Sequence, residues 1–377
     1  STILVDYMLA RITKRPSILR VFAIISVIFS SRCLSRGDDA SALSTRGVHN
    51  QDQRAANAAD PLKTLLATFN AVFGENDPAF VPRTRAEWDW AFAENPAGRR
   101  IWVAEGEGVI AAQCAALPYR VWIDGRASSF TQGVDSMVHP EHRKGLRRPG
   151  LYVETAYPFF ERFGGYGNDI LHYGWPVEPA WRIGRTFLGY QIVRTQIIHV
   201  RELEPGAREL PRGVERLARF GPDVHALYLR CQAQWGASVI RDAAYLNWRF
   251  ADHPRFRYQV FGVRGAAGEL VACAIYRRAD RPYPGSGLIM DWLVPEDELE
   301  AGELLREAVL AQARSDGARA VLVVFPEWSR WNAVFQEWSF RLHSSNYLLI
   351  GIVQDPRYDT WWLREHWWYQ LAELDVV

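Results

Sequence analysis

The sequence predicts an α/β fold (α+β in detail) in which one order of elements, helix–helix–strands–helix–strand–helix–strand, runs twice along the chain. Three observations predict it. The chain has 377 residues, enough for about two to three domains at roughly 100–200 residues each. Hydrophobic residues make up 48% and charged residues 23%, the balance of a globular chain, which excludes wholesale disorder, a collagen-like or coiled-coil rod and a multi-span membrane protein. Apolar periodicity also switches between helical and strand-like runs in the same order on both sides of residues 204–213, which contain two Pro and two Gly and read as a linker.

In the first copy, Leu62, Leu65, Leu66, Phe69 and Phe73 make a helical stripe over 61–73. Thr84 caps a second helix over 85–94, with Glu87 placed for a capping box. Residues 100–105 and 109–121 read as a hairpin and 130–138 as a further strand. Pro149 suits the first turn of a helix whose buried stripe is Tyr152, Ala156, Phe159, Phe160 and Phe163, and which ends at Gly164-Gly165. A strand over 169–175, a short helix over 179–188 and a strand over 190–200 complete the copy. The second copy places helices at 222–235 and 242–251, and strands at 258–264, 269–278 and 287–294. An amphipathic helix follows over 299–315, then a strand over 318–325, a helix over 331–340 and a strand over 346–353. Domains are therefore expected at 61–205 and 214–377, each a mixed central sheet flanked by helices.

Residues 1–60 read differently. Lys14, Arg15 and Arg20 precede an apolar run over 21–29, far short of the ~20 residues that span a bilayer. The run has the look of a signal-peptide core, but Ser30-Ser31-Arg32-Cys33 lacks the small-x-small triplet of a cleavage site. Residues 35–60 are polar and without apolar period. The expectation is an appended, disordered segment from an upstream start, on a cytoplasmic protein without stable membrane insertion. Cys33, Cys114, Cys231 and Cys273 are widely spaced, with no metal-ligand pattern, and suit buried thiols in a reducing compartment. With 44 basic against 43 acidic side chains the net charge is +1, which gives no excess of positive charge for a nucleic-acid backbone.

The chemistry lies between strand and helix in the first copy. Asp135-Ser-Met-Val-His-Pro-Glu-His-Arg-Lys-Gly-Leu-Arg-Arg-Pro-Gly150 runs from a strand through a basic turn to a helix start. Free N–H groups and the helix dipole favour an anion there. Arg143, Lys144, Arg147 and Arg148 add cations, and Gly145 lets a phosphate approach the backbone. A diphosphate is the natural guest; a solvated basic turn without a ligand is the alternative. His139 and His142, three apart in a turn beside Glu141, lack a third ligand, so no metal is expected. No G-x-S-x-G elbow or P-loop occurs. Trp361, Trp362, Trp367, Trp368 and Tyr369 suit either a cleft for a flat ligand or packing between domains.

Val138-His-Pro-Glu-His-Arg-Lys-Gly-Leu146, the helix after it and the later Leu188-Gly-Tyr190 resemble the GCN5-related N-acetyltransferase superfamily. The resemblance covers residues 62–377 as two tandem copies and includes the helix around residues 241–249. It implies an acyl-CoA N-acyltransferase-like fold in each copy. It also implies acetyl-CoA or another acyl-CoA as co-substrate, bound through Met137, Val138, Arg143, Lys144, Gly145, Leu146, Arg147, Arg148 and Gly150, with a small-molecule or peptide amine as acceptor. Two departures stand out. The turn is shorter than the family pattern, and the family's tyrosine four residues before the Gly-aromatic pair is Arg185 here. Asp135 and Tyr173 are the candidates for acid–base work on the amine and the leaving thiol. In the second copy the corresponding turn carries Glu296, Asp297, Glu298 and Glu300 without glycine, which repels a diphosphate. That copy is expected to be degenerate. A catalytically silent binding or scaffold protein, and a FemABX-like aminoacyl transferase, are the competing functional readings.

Overall fold

In the computed structural model the described residues are 44–47, 61–75, 77, 80–106, 109–143, 149–165, 167–206, 208–280 and 283–374. Their strands join in one sheet. The first copy supplies β2 (Arg100–Gly106), β3 (Val109–Ile123), β4 (Arg126–Val138), β5 (Asp169–Gly174) and β6 (Gln191–Glu202). The second supplies β9 (Gln259–Arg264), β10 (Leu270–Ala279), β11 (Ser286–Leu293), β12 (Ala320–Val323) and β13 (Arg341–Val353). Short strands are β1 (Ser44–Gly47), β7 (Val214–Leu217), β8 (Ala237–Val239) and β14 (Trp367–Trp368). The order is β1-β2-β3-β4-β5-β13-β6-β12-β11-β10-β9-β7, with β8 bridging β3 and β14. The last strand of each copy is thus exchanged: β13 lies between β5 and β6, and β6 lies between β13 and β12.

The expected elements form where the periodicity puts them. The first helix is Pro61–Gly74, and Thr84 caps the next with Glu87 closing the box. The helix Leu299–Ser315 buries Leu305, Ala308 and Val309. Three details differ from expectation. The helix after the basic turn begins at Leu151 with Gly150 as its N-cap, so Pro149 precedes the helix instead of opening it. Ser44–Gly47, inside the segment expected to be a disordered appendage, pairs antiparallel with β2. An edge strand offers unpaired N–H and C=O groups to any extended neighbour, and a four-residue polar strand shows no apolar period; the remainder of residues 1–60 lies outside the described residues. The short strands β7, β8 and β14 left no signal for the same reason. No described helix is long and apolar enough to cross a membrane.

The copies meet about a symmetric contact. Asp89-Trp-Ala-Phe-Ala-Glu-Asn-Pro96 and Asn247-Trp-Arg-Phe-Ala-Asp-His-Pro254 are the same motif, and each opens in a π-turn. Trp90 and Trp248 stack with ring centres 5.0 Å apart. Each indole N–H donates to the other tryptophan's carbonyl at 2.7 Å. The C-terminal segment adds a second tie. Trp367, Trp368 and Tyr369 are fully buried, which gives them to packing, while Trp361 is exposed. Arg241 bridges Asp291 and Glu373 in the same interior.

Removal of the Trp248 ring deletes the stack and the hydrogen bond its indole gives to the Trp90 carbonyl, while the Trp248 carbonyl stays to accept from Trp90. Trp248→Ala is expected to lower unfolding stability by about 3–5 kcal/mol, read by chemical denaturation, and a loss below about 1 kcal/mol would contradict the contact's role.

Candidate active site

The parallel ladder between β4 and β5 runs only from Ser129–Asp169 to Gln132–Tyr173. Beyond it the strands part. Gly133 and Gly174 face each other at the parting, where a side-chain carbon on Gly174 would sit 3.4 Å from the Gly133 carbonyl. From there to Val138, β4 keeps β3 on one edge and leaves the other edge open. Here β4 also carries a bulge: Val134 pairs with Ala115 and Met137 with Gln113, so Asp135 and Ser136 oppose Cys114 alone. Asp135 takes φ +53°, a left-handed conformation that aspartate tolerates better than most residues. Gln113, buried in β3, fixes the bulge by donating its side-chain amide to the Asp135 carbonyl at 2.8 Å.

On the face covered by the helix Leu151–Phe163, the parting opens into a cavity of about 40 Å³. Gly133, Ser136, Cys114, Ala116, Tyr152, Phe160, His172 and Tyr190 line it among others. The Tyr152 and Tyr190 hydroxyls hydrogen-bond each other at 2.9 Å. Burial pushes the Tyr190 phenol up to about 12 and the Tyr152 phenol well above its ordinary value, so both stay protonated at neutral pH. Burial likewise takes the Cys114 thiol up to about 12, which keeps it un-ionised. His172 stands against the rings of Phe159 and Phe160, and both its ring nitrogens are buried without a hydrogen-bond partner. Such groups cost about 1–3 kcal/mol each when unpaired. Burial depresses its pKa to about 4, against the pull of Asp169, and leaves it neutral. Asp169 is itself held below its ordinary value: burial would raise it, but the hydrogen bonds and charge of Arg100 together with its other neighbours outweigh that.

Strand alternation sends the neighbouring residue to the opposite face. There the Tyr173 hydroxyl donates to the Glu373 carbonyl at 3.1 Å, and its ring packs on Trp367. Tyr119 donates to Gln132 beside it. The Asp135 carboxylate pairs with Arg83. Asn70 holds the Arg83 backbone on both sides, and the Arg83 guanidinium lies 4.3 Å from the Phe69 ring centre. The second copy repeats the arrangement: Arg241 also stands just before a helix cap and also pairs with an aspartate, Asp291, on the corresponding strand.

Of the residues expected to hold the co-substrate, Met137 is buried and Val138 half-buried at the end of β4. Arg143 follows the short turn Pro140–His142, donates to the Val138 carbonyl at 3.1 Å and pairs with Glu75 at 2.7 Å. Gly150 caps the helix Leu151–Phe163, whose first amide groups have no helical acceptor. Lys144, Gly145, Leu146, Arg147 and Arg148 lie outside the described residues. His139 and His142 have ring centres 5.9 Å apart, and no group of three or more metal-ligating side chains occurs among the described residues. Arg185 is exposed on the π-turn Gly184–Leu188 and does not line the cavity.

The equivalent space in the second copy is filled. The β11–β12 ladder ends at Leu288–Leu322. Trp292 takes the place after Asp291 that Ser136 takes after Asp135, and it packs against Trp331 and Phe335. Gln370 of the C-terminal segment donates to the Val324 carbonyl at 2.8 Å. Among the acids of the second turn, Asp297 and Glu298 pair with Arg230.

Gln113, Ser136, His172 and Tyr190 were not singled out as site residues from sequence, and Tyr152 was read only as part of a core stripe. One signal was available. An arginine before a helix cap, followed about fifty residues later by a strand aspartate, occurs in both copies: 83 with 135 and 241 with 291.

No family model and no curated protein matches the chain. Solved structures do match in fold. A conserved protein of Enterococcus faecalis described as a probable N-acyltransferase superposes with a TM-score of 0.57 at 14% identity, over 83% of this chain and 73% of that one. N-myristoyltransferase of Saccharomyces cerevisiae with bound myristoyl-CoA gives 0.52 at 12% identity, over 84% and 83%. A GCN5-related N-acetyltransferase from Anabaena variabilis gives 0.52 at 14% identity, over 82% and 73%. The chain therefore has the GCN5-related N-acetyltransferase fold, with the unit present twice.

The neutral, buried His172 sets a pH dependence. The unfolded chain takes up its proton near pH 6.5, whereas the folded chain resists until about 4. This contribution to stability is whole above pH 6.5 and is lost as pH falls to 4, by up to about 3 kcal/mol. Denaturation midpoints across that range should fall for the native chain and fall less for His172→Phe; equal slopes would contradict the assignment.

Proposed function

We propose that the chain is an acyl-CoA-dependent N-acyltransferase that uses only its first copy for the donor. The observation that carries this reading is the early end of the β4–β5 ladder, which leaves the bulged half of β4 with an open hydrogen-bonding edge beside the cavity. The amide-bearing arm of a CoA thioester needs such an edge: over residues 134–138 the side of β4 turned away from β3 has no neighbouring strand. The amide groups at the start of the helix Leu151–Phe163, with Arg143 and the sequence-neighbouring Lys144, Gly145, Leu146, Arg147 and Arg148, suit the diphosphate. Two similar folds from yeast and Anabaena belong to acyl-transferring proteins by their descriptions, which supports the class of reaction.

In the reaction the donor's C–S bond breaks, a C–N bond forms to the acceptor amine, the nitrogen loses a proton and the thiolate gains one. We assign the developing oxyanion to backbone amides at the Asp135 bulge. We assign the Asp135 carboxylate to holding that bulge through Arg83, and the Tyr173 hydroxyl to holding the C-terminal segment through Glu373. Tyr190, with Tyr152 as its hydrogen-bond partner, takes the thiol-protonating role that Arg185 leaves vacant. The acceptor is a small-molecule or peptide amine.

Calorimetric titration with acetyl-CoA and with free CoA is expected to give one site per chain. Two equivalent sites, or no binding of either, would contradict the reading. Tyr190→Phe is expected to lower kcat by on the order of 10²-fold, measured as thiol release with a panel of amines, while donor affinity stays within about threefold. An unchanged kcat would remove Tyr190 from proton transfer.

A further inference from the structure

Buried arginines in this fold have carboxylate partners. Arg241 has Asp291 and Glu373, and Arg194 has Glu327. Two do not. Arg249, 7% exposed, donates only to the Ala372 carbonyl at 3.0 Å and the Tyr258 hydroxyl at 3.2 Å. Arg277, 5% exposed, lies 4.0 Å from the Phe256 ring centre and 5.7 Å from that of Tyr258, and its Nε is buried without a hydrogen-bond partner. Both guanidinium groups therefore flank Tyr258. Burial pulls the Arg277 cation below its ordinary pKa.

The surroundings add positive charge. Arg255 and Arg83 stand nearby, and the surrounding acids are engaged elsewhere: Glu87 pairs with Arg255, Asp135 with Arg83, and Glu373, whose charge Arg249 feels, with Arg241. His253 reports the resulting field, since burial together with Arg249, Arg277, Arg255 and Arg83 takes its pKa down to about 3. With a net charge of only +1 over the chain, this is a local arrangement. A buried charge without a counter-ion is unfavourable, and a planar guanidinium fork matches an oxyanion in bidentate fashion.

The position relative to the reaction centre is also fixed. Arg249 holds the Ala372 carbonyl and Tyr173 holds the next one, Glu373, so the cluster lies beside the β4–β5 parting, on the face opposite the cavity. Arg83 reaches the bulge directly through Asp135. The side chains of Arg83 and Arg255 are 25% and 31% exposed, which leaves the cluster a route to solvent.

We infer that Arg249 and Arg277 form an oxyanion receptor, and that the acceptor amine of the acyl transfer carries a carboxylate or phosphate group which this receptor binds. The term acceptor rests on the proposed function; the receptor rests on the arginines alone.

The test uses the full chain and defined probes. Inorganic phosphate, phosphoethanolamine, β-alanine and ethanolamine are titrated by calorimetry and by thermal shift against the native chain, Arg277→Met and Arg277→Lys. Phosphoethanolamine or β-alanine is expected to bind at least tenfold tighter than ethanolamine, and whichever does so names the anion. Arg277→Met should lose that preference at least tenfold yet melt no lower than the native chain in anion-free buffer, because it removes an uncompensated charge. Arg277→Lys, which keeps the charge without the fork, should fall between. Equal affinity for all three amines, or a lower melting temperature for Arg277→Met in anion-free buffer, would overturn the receptor. Acetyl-CoA is titrated in parallel. Its binding to the native chain without any anion preference sinks this inference alone. Anion preference without acetyl-CoA binding keeps the receptor and sinks the acyl-transfer reading. Loss of acetyl-CoA affinity in Arg277→Met would assign the arginines to the donor and overturn the acceptor assignment.

Discussion

The exchange of final strands between the copies constrains everything else in the sheet. Because β13 pairs with β5 over Leu171–Gly174, β5 has its hydrogen bonds satisfied on that side and does not need β4 beyond Tyr173. The parting of β4 from β5 is thereby tolerated without an orphaned strand edge on both sides. The bulge at Asp135, the glycines at the parting and the cavity under the helix Leu151–Phe163 all sit where that tolerance exists. The same exchange makes the copies mutually dependent, since each owns a strand buried in the other. The stacked Trp90–Trp248 pair and the buried Arg241–Asp291–Glu373 group then lock the interior from the opposite face.

The two copies share a buttress and differ in what stands beside it. The buttress is retained twice, as Arg83–Asp135 and Arg241–Asp291, because it holds a strand end in place whatever chemistry follows. The residue after the aspartate decides the rest. Ser136 leaves room beside Tyr152 and Tyr190, whereas Trp292 packs that room with indole and joins Trp331 and Phe335. The turn that follows in the second copy carries acids in place of the basic residues of the first, and two of them pair with Arg230.

Most of the fold was legible because long amphipathic stretches announce themselves by period. The helix over 299–315 and the order of the long strands follow from spacing alone. Strand exchange was not legible, since the pattern of β13 is the same whichever copy it joins. Short strands such as Trp367–Trp368 were lost for want of a period. At the site, the basic turn and the strand before it could be found from charge, glycine and order. His172 and Tyr190 could not, because one lies in an apolar strand and the other in the turn before β6, and they become distinctive only when the fold brings their polar atoms to one cavity. Asp135 and Tyr173 were chosen for chemistry, and the structure places the carboxylate against the Arg83 guanidinium and the hydroxyl on the Glu373 carbonyl. The unpaired arginines 249 and 277 belong to the second copy and meet the first only through the fold.

The central claim is that an acyl-CoA donor lies along the open edge of β4. Amide hydrogen exchange of the full chain with and without acetyl-CoA tests it residue by residue. New protection confined to residues 134–138 and the first turn of the helix Leu151–Phe163 is the expected result. Protection at residues 294–300 instead, or no change in β4 at saturating donor, would contradict it.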